Sequence, residues 1–537
     1  MKKIFKLYFL ALSLVIATSC ENGFDTLNVS KTGATSLDPA LTLNAAVINS
    51  SPTTSLIYEL AIVQQWFSSN TGVLEGGNFN KVVVNNTPAN WVNYYQNVIK
   101  YTNDVISRIT ADQKLAPAAQ TLGLRTNLLN MARIVKANAF LILTDTYGDI
   151  PYSDAGGGYT AQVFFPKYET QQSIYPKIIS ELTTATAALD PAVKIETADV
   201  LYGGNIAQWK KFGYSLLLRA GMRLNKADAA AAAAAVTTAV TGGVITSNTD
   251  NAIIKHDANY VNGFGNTVNG GEAANFYMTD VFVKALQGAL GNVGGTTVLD
   301  PRLQSIAIRY VGATSGATQT SGVATTVPAN QYGMPVGSTD GSADVAAGTV
   351  PLPGGGTRFA FSQVDRNRIV KRTSAMFIVT AGQCNIMLAE AAMRGIGGLT
   401  SAAANGYFRA GIIAHMDQMV SYDAASAIPV ADATRVAYLA APEATLNTAS
   451  LAAALPQIGY QYWLAAFLHG PEAWANFRRI GYPALTPNPF SGSAVPGAFI
   501  QRLTYPTSET LVNTKNVTEA ITSMGSDALG TKVYWAK

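Results

Sequence analysis

A mainly α-helical protein with a loop-rich middle is what this sequence predicts, and three observations carry the expectation. The stretch from Arg125 to Ala155, RTNLLNMARIVKANAFLILTDTYGDIPYSDA, places Leu128, Ala132, Val135, Ala139 and Ile142 at three- and four-residue steps, the spacing of one buried helical stripe. Runs with the same spacing or rich in helix formers fill residues 41–243 and return over 374–480. Between them, residues 244–373 break into short apolar pieces separated by Gly, Asn, Ser and Thr, a pattern of loops.

The chain begins with Lys2, Lys3 and Lys6, an apolar run from Leu7 to Ala17 too short to span a bilayer, and then Ala17-Thr18-Ser19-Cys20. These features predict a lipoprotein signal peptide over residues 1–19 with lipidation of Cys20 at the new N-terminus. More than one acyl chain, at about 0.8 kcal/mol per buried methylene, would hold the protein on a membrane stably. Residues 20–40 are polar and aperiodic, a tether that spans roughly 70 Å taut and about 25 Å as a coil.

Loss of the leader lowers the formal net charge from +4 to +1, so the sequence pI of 8.7 is largely a property of the leader. No basic footprint for nucleic acid remains. Charged residues make up only 13% of the chain, so surface polarity falls to Asn, Thr, Ser and Gln, which suits a neutral ligand. With Cys20 lipidated, Cys384 has no partner for a disulfide, and its stripe with Phe377, Ala381, Leu388 and Ala391 makes it a small core residue.

Taken in order, helices are expected over Leu41–Phe67, Thr87–Thr110, Leu122–Thr146, Thr170–Leu189, Ile206–Leu224 and Ala227–Val240. Gly148 and Pro151 stop the third of these, and Asn205 with Gln208 forms a capping-box pattern at the start of the fifth. Asp145, Asp149 and Asp154 cluster at the stop, where aspartates mostly accept backbone N–H bonds. The segment Val311–Gly356 is too poor in large apolar residues to bury a core of its own and is expected to cover the scaffold, with a short hairpin. Helices resume over Met376–Arg394, Ala403–Gln418, Leu451–Leu468 and Pro471–Arg479, the last with proline in its first turn. No linker divides residues 41–537, which are expected to form one domain, with a C-terminal segment from residue 481.

Enzyme motifs are missing from the sequence. The three histidines, His256, His415 and His469, show no paired zinc-ligand spacing, and neither GxSxG nor GxxxxGK[ST] occurs. No catalytic residue, metal ligand or cofactor is therefore expected. A glycosidase needs only two carboxylates, so surface glycoside processing stays as an alternative that turnover of a glycan would reveal. A structural surface protein or adhesin is a third class, and it predicts no saturable ligand.

Several phrases in fixed order resemble the SusD/RagB family of nutrient-binding outer-membrane lipoproteins. They are TDTYGDIPYSDA, NIMLAEAAMRG (Asn385–Gly395), HGPEAWANFRRIGYPAL (His469–Leu485), RLTYPTSETLVN (Arg502–Asn513) and the ending MGSDALGTKVYWAK, with LDPRL (Leu299–Leu303) a weaker match. The resemblance is to the SusD-like branch and implies tetratricopeptide-type helical hairpins under a loop-rich cap, with few short strands and a strand-like ending. It implies a lipid-anchored outer-membrane protein, facing the cell exterior, that captures oligosaccharide, or peptide, and delivers it to a SusC-like TonB-dependent transporter. Glu21 and Asp25 resemble a lipoprotein surface-export signal. Within the phrases, Glu472 with Arg479 and Glu390 with Arg394 lie on shared helical faces, where pairing would lock helices, while Trp474 and Phe477 pack.

A sugar is held by aromatic faces against its C–H surfaces and by amides on its hydroxyls. Two stretches interleave the two residue types. Trp66–Lys81 offers Trp66, Phe67, Asn70, Phe79 and Asn80; Asn259–Asp280 offers Tyr260, Asn262, Phe264, Asn266 and Tyr277. Tyr332 in the glycine-rich insert is a third candidate. If these are loop platforms, replacing Trp66 and Tyr260 together with alanine should weaken binding and leave the melting temperature within a few degrees.

Overall fold

Apolar stripes dictate the helices, and the helices pair with their neighbours in sequence. The computed structural model describes residues 37–51, 56–70, 78–83, 88–158, 161–289, 297–349 and 352–537. The expected signal peptide, Cys20 and most of the tether lie outside them. The first half contains α1 (Pro39–Asn49), α2 (Leu56–Ile62), β1 (Trp66–Phe67), α3 (89–113), α4 (Thr126–Tyr147), β2 (Ile150–Pro151), β3 (Tyr168–Glu169), α5 (Gln171–Ala187), α6 (Ile206–Arg223) and α7 (Ala229–Gly242). The middle holds β4 (Ala252–Ile254), α8 (Gly263–Val268), β5 (Tyr277–Met278), α9 (Asp280–Leu286), α10 (Arg302–Ile306), β6 (Ala307–Tyr310), β7 (Ala324–Thr325), α11 (Asp340–Thr349) and β8 (Gln363–Val364). Then come β9 (Met376–Val379), α12 (Ala381–Arg394), α13 (Ser401–Gln418), α14 (Asp432–Leu439), α15 (Leu451–Ala465), α16 (Gly470–Ile480), α17 (Thr507–Val512) and α18 (Thr514–Met524). With 53% of residues helical and only short strands, the fold is mainly α.

Local chemistry sets the boundaries. Gly148 closes α4 with φ +81°, a conformation that glycine adopts without a Cβ penalty. The Asn205 side chain accepts the Gln208 N–H (3.2 Å) at the start of α6, while the Gln208 amide turns away to the Thr249 carbonyl (2.8 Å), so half of the capping box forms. α4 packs between α3 and α5, α6 pairs with α7, and α12 with α13. One apolar core runs through all of these hairpins.

Four expectations need correction. The run Leu41–Phe67 is two helices and a strand: the first helix ends at Asn49 with Ser50 as its cap, and in the sequence a proline at 52 disfavours helical backbone at the residue before it. Met376–Val379 is a fully buried strand antiparallel to β4, since four successive large apolar residues satisfy a strand covered on both faces; α12 starts only after Thr380, which caps it through the Gln383 N–H (3.2 Å). The C-terminal MGSDALGTKVYWAK forms a short 3₁₀ turn at Tyr534–Ala536 rather than a strand, pinned by buried Trp535, whose Nε1 donates to Asp145 (2.8 Å). Glu472 and Arg479 do not pair with each other: both reach across to other helices.

Those cross-helix pairs are buried. Glu472 lies 3.0 Å from Arg219 Nε and 2.6 Å from Arg223 Nη2, and accepts the Tyr462 hydroxyl (2.6 Å). Arg479 grips Glu390 through both terminal nitrogens (2.7 and 2.5 Å), and Arg394 adds a third bond (2.8 Å). Asp145, at the end of α4, accepts from Tyr175 and Trp535 and meets Arg223 at 3.2 Å, while Asp149 caps α5 by accepting the Gln171 N–H (2.8 Å). Cys384 is fully buried, and burial pushes its thiol up to about 11, so it is a packing residue.

Glu59 on α2 is buried without an ion pair among the described residues. Asn90 donates to its Oε1 (2.6 Å), yet burial outweighs that bond and the more distant Arg478 charge, and pushes the carboxyl up to about 8. The folded protein therefore holds Glu59 neutral at pH 7 while the unfolded chain ionises it near 4.5. A raised folded pKa means that the unfolded state gains as pH climbs through this window. Glu59→Gln is expected to flatten the pH dependence of stability between pH 5 and 8 and to raise stability at pH 8 by on the order of 1–3 kcal/mol. Urea titrations at both pH values check it, and an unchanged slope would assign the titration to another group.

Candidate functional site

The two aromatic stretches meet through a short ladder. β1 pairs antiparallel with β5, Trp66 opposite Met278 and Phe67 opposite Tyr277, so residues more than two hundred apart in sequence share one junction. Trp66 lies edge-on to Phe264 (4.6 Å) and Phe276 (5.3 Å). Phe67 and Tyr277 enter a second, smaller core with Ile308, Tyr310, Met334 and Phe361, beneath the loop-rich cap. The glycine-rich insert adds to that core through Met334, Leu352 and the alanines of α11, and relies on rings from elsewhere for bulk.

Burial separates the candidate residues into two groups. Trp66, Phe67, Phe79, Phe264 and Tyr277 are all within 2% of complete burial, so their ring faces are spent on protein neighbours. Phe79 packs on Phe490 (4.5 Å), and the Tyr277 hydroxyl donates to the Ala274 carbonyl (2.5 Å). Asn262 is fully buried too: its Oδ1 caps α8 through the Gly265 N–H (3.0 Å) and its Nδ2 donates to the Ser374 carbonyl (2.9 Å). Asn80 is buried with φ +51° and carries its carbonyl to the Ala494 N–H (2.9 Å). The open residues are Tyr260, Asn266, half-buried Asn70 and half-buried Tyr332.

Tyr260 is the best-built of these. The residue is 37% exposed, and its ring stacks nearly parallel (13°) on His256 at 5.4 Å. Asp257 accepts the N–H groups of Asn259 (2.8 Å) and Tyr260 (2.7 Å), and His256 is held between Ser51 Oγ (2.8 Å) and the Tyr260 carbonyl (3.2 Å). Burial lowers the imidazole pKa, against the Tyr260 carbonyl and Asp257, which keeps the ring neutral as a stacking base. The result is a tyrosine face fixed before any ligand arrives, which reduces the ordering cost of binding. Tyr332 packs against the Arg309 guanidinium (5.0 Å), and Arg358 covers Phe359 (4.4 Å) in the same cap.

His256 is a ring support rather than a metal ligand, a role that paired zinc-ligand spacing does not reveal. The signal was present: His256 lies four residues before Tyr260 with Asp257 between, a tight polar turn. His415 and His469 are buried in the scaffold, the former against Arg302 (2.9 Å). Among the described residues no group of three or more His, Cys, Asp or Glu side chains converges to hold a metal ion. No described helix is long and apolar enough to cross a membrane.

Comparison with known proteins places this geometry. The SusD-like_2 family, described as "Starch-binding associating with outer membrane", matches residues 28–506. A solved structure titled a chitin-binding protein is 28% identical, with a TM-score of 0.75 over 93% of this chain and 99% of that one. A Bacteroidetes SusD-like protein, AC2a, is 23% identical with a TM-score of 0.76, covering 93% and 100% of the two chains. A chitin-binding SusD homologue from Flavobacterium johnsoniae is 22% identical with a TM-score of 0.70, covering 93% and 98%. A search of curated proteins returns no match. The paired helical scaffold, the loop-rich cap and a family match across most of the sequence lead to one conclusion: the chain belongs to the SusD-like family.

Proposed function

We propose that this protein is a cell-surface nutrient-binding lipoprotein of the outer membrane that captures an oligosaccharide and delivers it to a SusC-like TonB-dependent transporter. The observation that carries the reading is the family match over residues 28–506, whose description joins glycan binding to the outer membrane. The 28% identical relative titled chitin-binding favours a glycan over a peptide, and N-acetylated glucosamine oligomers as the first ligands to test. The low charge density and the Asn-, Ser- and Thr-rich cap fit a neutral sugar. The lipid on Cys20 and the outward orientation belong to the same proposal. Binding without turnover is the expected activity.

The ligand face, on this reading, is drawn from the open members of the two aromatic stretches joined by β1 and β5, with Tyr260 as the stacking ring and Asn70, Asn266 and Tyr332 as further contacts. The buried rings of the same stretches hold the two together. Tyr260→Ala is expected to weaken binding of chitin oligosaccharides about tenfold by calorimetry, a loss of roughly 1.4 kcal/mol, with the melting temperature almost unchanged. Unchanged affinity would move the site away from this junction. Transporter delivery is tested separately, by isolating the protein from outer membranes in mild detergent; recovery without a barrel partner at stoichiometric yield would count against it.

A further inference from the structure

Two adjoining cavities of the described chain lie on the helical scaffold, away from the cap. One, about 560 Å³, is lined by Ser107 and Thr110 of α3, Lys114 just past its end, Lys136 of α4 and Ser153 of the turn after it. The other, about 240 Å³, is lined by Trp91, Tyr95 and Gln96 of α3, Pro151, and Glu509 of α17. Both share Ala155 and Gly156, so together they form one trough along a single face of α3. From Val92 to Lys114 that face extends roughly 30 Å, at about 1.5 Å per residue, enough for an extended chain.

Three features mark this trough. α3 is interrupted by a π-helical turn at Tyr94–Ile99, and Tyr95 and Gln96 of that turn face the cavity; such turns cost hydrogen-bond geometry and concentrate at functional sites. Gly156, with φ +75°, closes the seam so tightly on Asn103 and Ile99 that any Cβ would collide with the Asn103 amide, and Asn103 in turn donates to the Ala155 carbonyl (2.7 Å). Lys136, largely buried, has no hydrogen bond or ion pair among the described residues, only the Phe140 ring at 5.9 Å. Burial lowers its pKa, with Glu181 acting against that shift and Arg133 with it, and Glu181 is itself bound by Arg133 (2.8 and 2.9 Å).

The two ends differ in chemistry. The lysine end carries hydroxyls and two amines, and no carboxylate lines it among the described residues. The other end offers aromatic and proline faces, and its one carboxylate, Glu509, accepts the Tyr168 hydroxyl (2.9 Å) and would repel an anion. We propose that this trough is a second binding groove, separate from the cap, for an oligosaccharide whose neutral chain ends in one carboxylate-bearing sugar. The acid lies at Lys114 and Lys136, and neutral rings run past Gly156 to Tyr95 and Gln96. Glu509 sets the direction, since the reversed chain would bring two carboxylates together.

Sialyllactose, a neutral disaccharide ending in one acidic sugar, tests this with the full-length protein, with lactose and an Ala-Ala-Glu peptide as controls. Sialyllactose is expected to bind, lactose at least tenfold more weakly, and Lys136→Gln to reduce sialyllactose affinity five- to tenfold. Gln96→Ala should weaken it about twofold. Both variants should leave chitin oligosaccharide binding at the cap unchanged, which separates failure here from failure of the cap site. No sialyllactose binding at millimolar concentration, or binding indifferent to Lys136→Gln and Gln96→Ala, overturns the groove. Equal binding of the peptide with the same dependence on Lys136 overturns the sugar assignment.

Discussion

Glu472→Ala is expected to destabilise the protein by about 3–5 kcal/mol, the cost of stranding buried charge. Arg219 and Arg223 both point at this carboxylate from α6, at 3.0 and 2.6 Å, and neither has water to fall back on. Arg223 would retain Asp145 at 3.2 Å; Arg219 would retain only the Ile378 carbonyl and the Gln383 side chain. Tyr462 loses its acceptor as well. Urea unfolding followed by circular dichroism measures the loss. A variant within 1 kcal/mol of the parent would show that the two arginines find other partners. Replacement by glutamine keeps the shape and removes the charge, so a loss of similar size there would assign the effect to electrostatics rather than to a cavity.

The same site gives the acid limb of stability. Burial alone would raise the Glu472 carboxyl, but Arg219 and Arg223 outweigh it and hold it down at about 2; Arg479 and Arg394 do the same for Glu390. Both values lie below the unfolded carboxylate, so this stabilisation is complete above pH 4.5 and is lost as pH falls toward 2. Glu59 runs the opposite way, its contribution being lost as pH rises. Melting curves between pH 3 and 8 read both.

What was legible in the sequence was local. The α4 stripe, the Gly148 stop and the Asn205 cap depend on residues within four positions of each other, and their spacing writes them directly. Helix α12 was legible and its start was not, because Met376–Val379 reads equally well as the first turn of a helix and as a buried strand, and β4, more than a hundred residues upstream, decides. The partners of Glu472 and Arg479 had the same obstacle. Shared helical faces suggested that the two pair with each other, whereas α6 and α12 supply the real counter-charges. At the ligand side, the two aromatic stretches were visible as sequence and do meet, but a pattern of Trp, Phe and Asn says nothing of which rings turn inward. The β1–β5 ladder settles that, and it pairs residues that no local rule connects.

Trp66→Ala, which the sequence alone would rank as a mild loop change, is therefore expected to cost about 3–5 kcal/mol, the range for removing a buried aromatic ring. The indole is 1% exposed and held edge-on by Phe264 and Phe276, so its removal leaves a cavity at the joint between the helical scaffold and the cap. Its neighbours cannot easily close in. Asn262 and Thr279 fix α8 and α9 by side-chain caps, and Gly265 packs its backbone directly on the Lys371 carbonyl, where even a methyl group would collide. The double replacement of Trp66 and Tyr260 consequently cannot separate binding from folding, and the paired single variants can. Trp66→Ala should lower the melting temperature by several degrees and weaken glycan binding only through a loosened junction, while Tyr260→Ala should do the reverse. Trp66→Phe, which refills most of the volume, should recover the greater part of the stability. A Trp66→Ala protein that melts with the parent would mean that the indole is not buried in solution, and would return its ring to the ligand face.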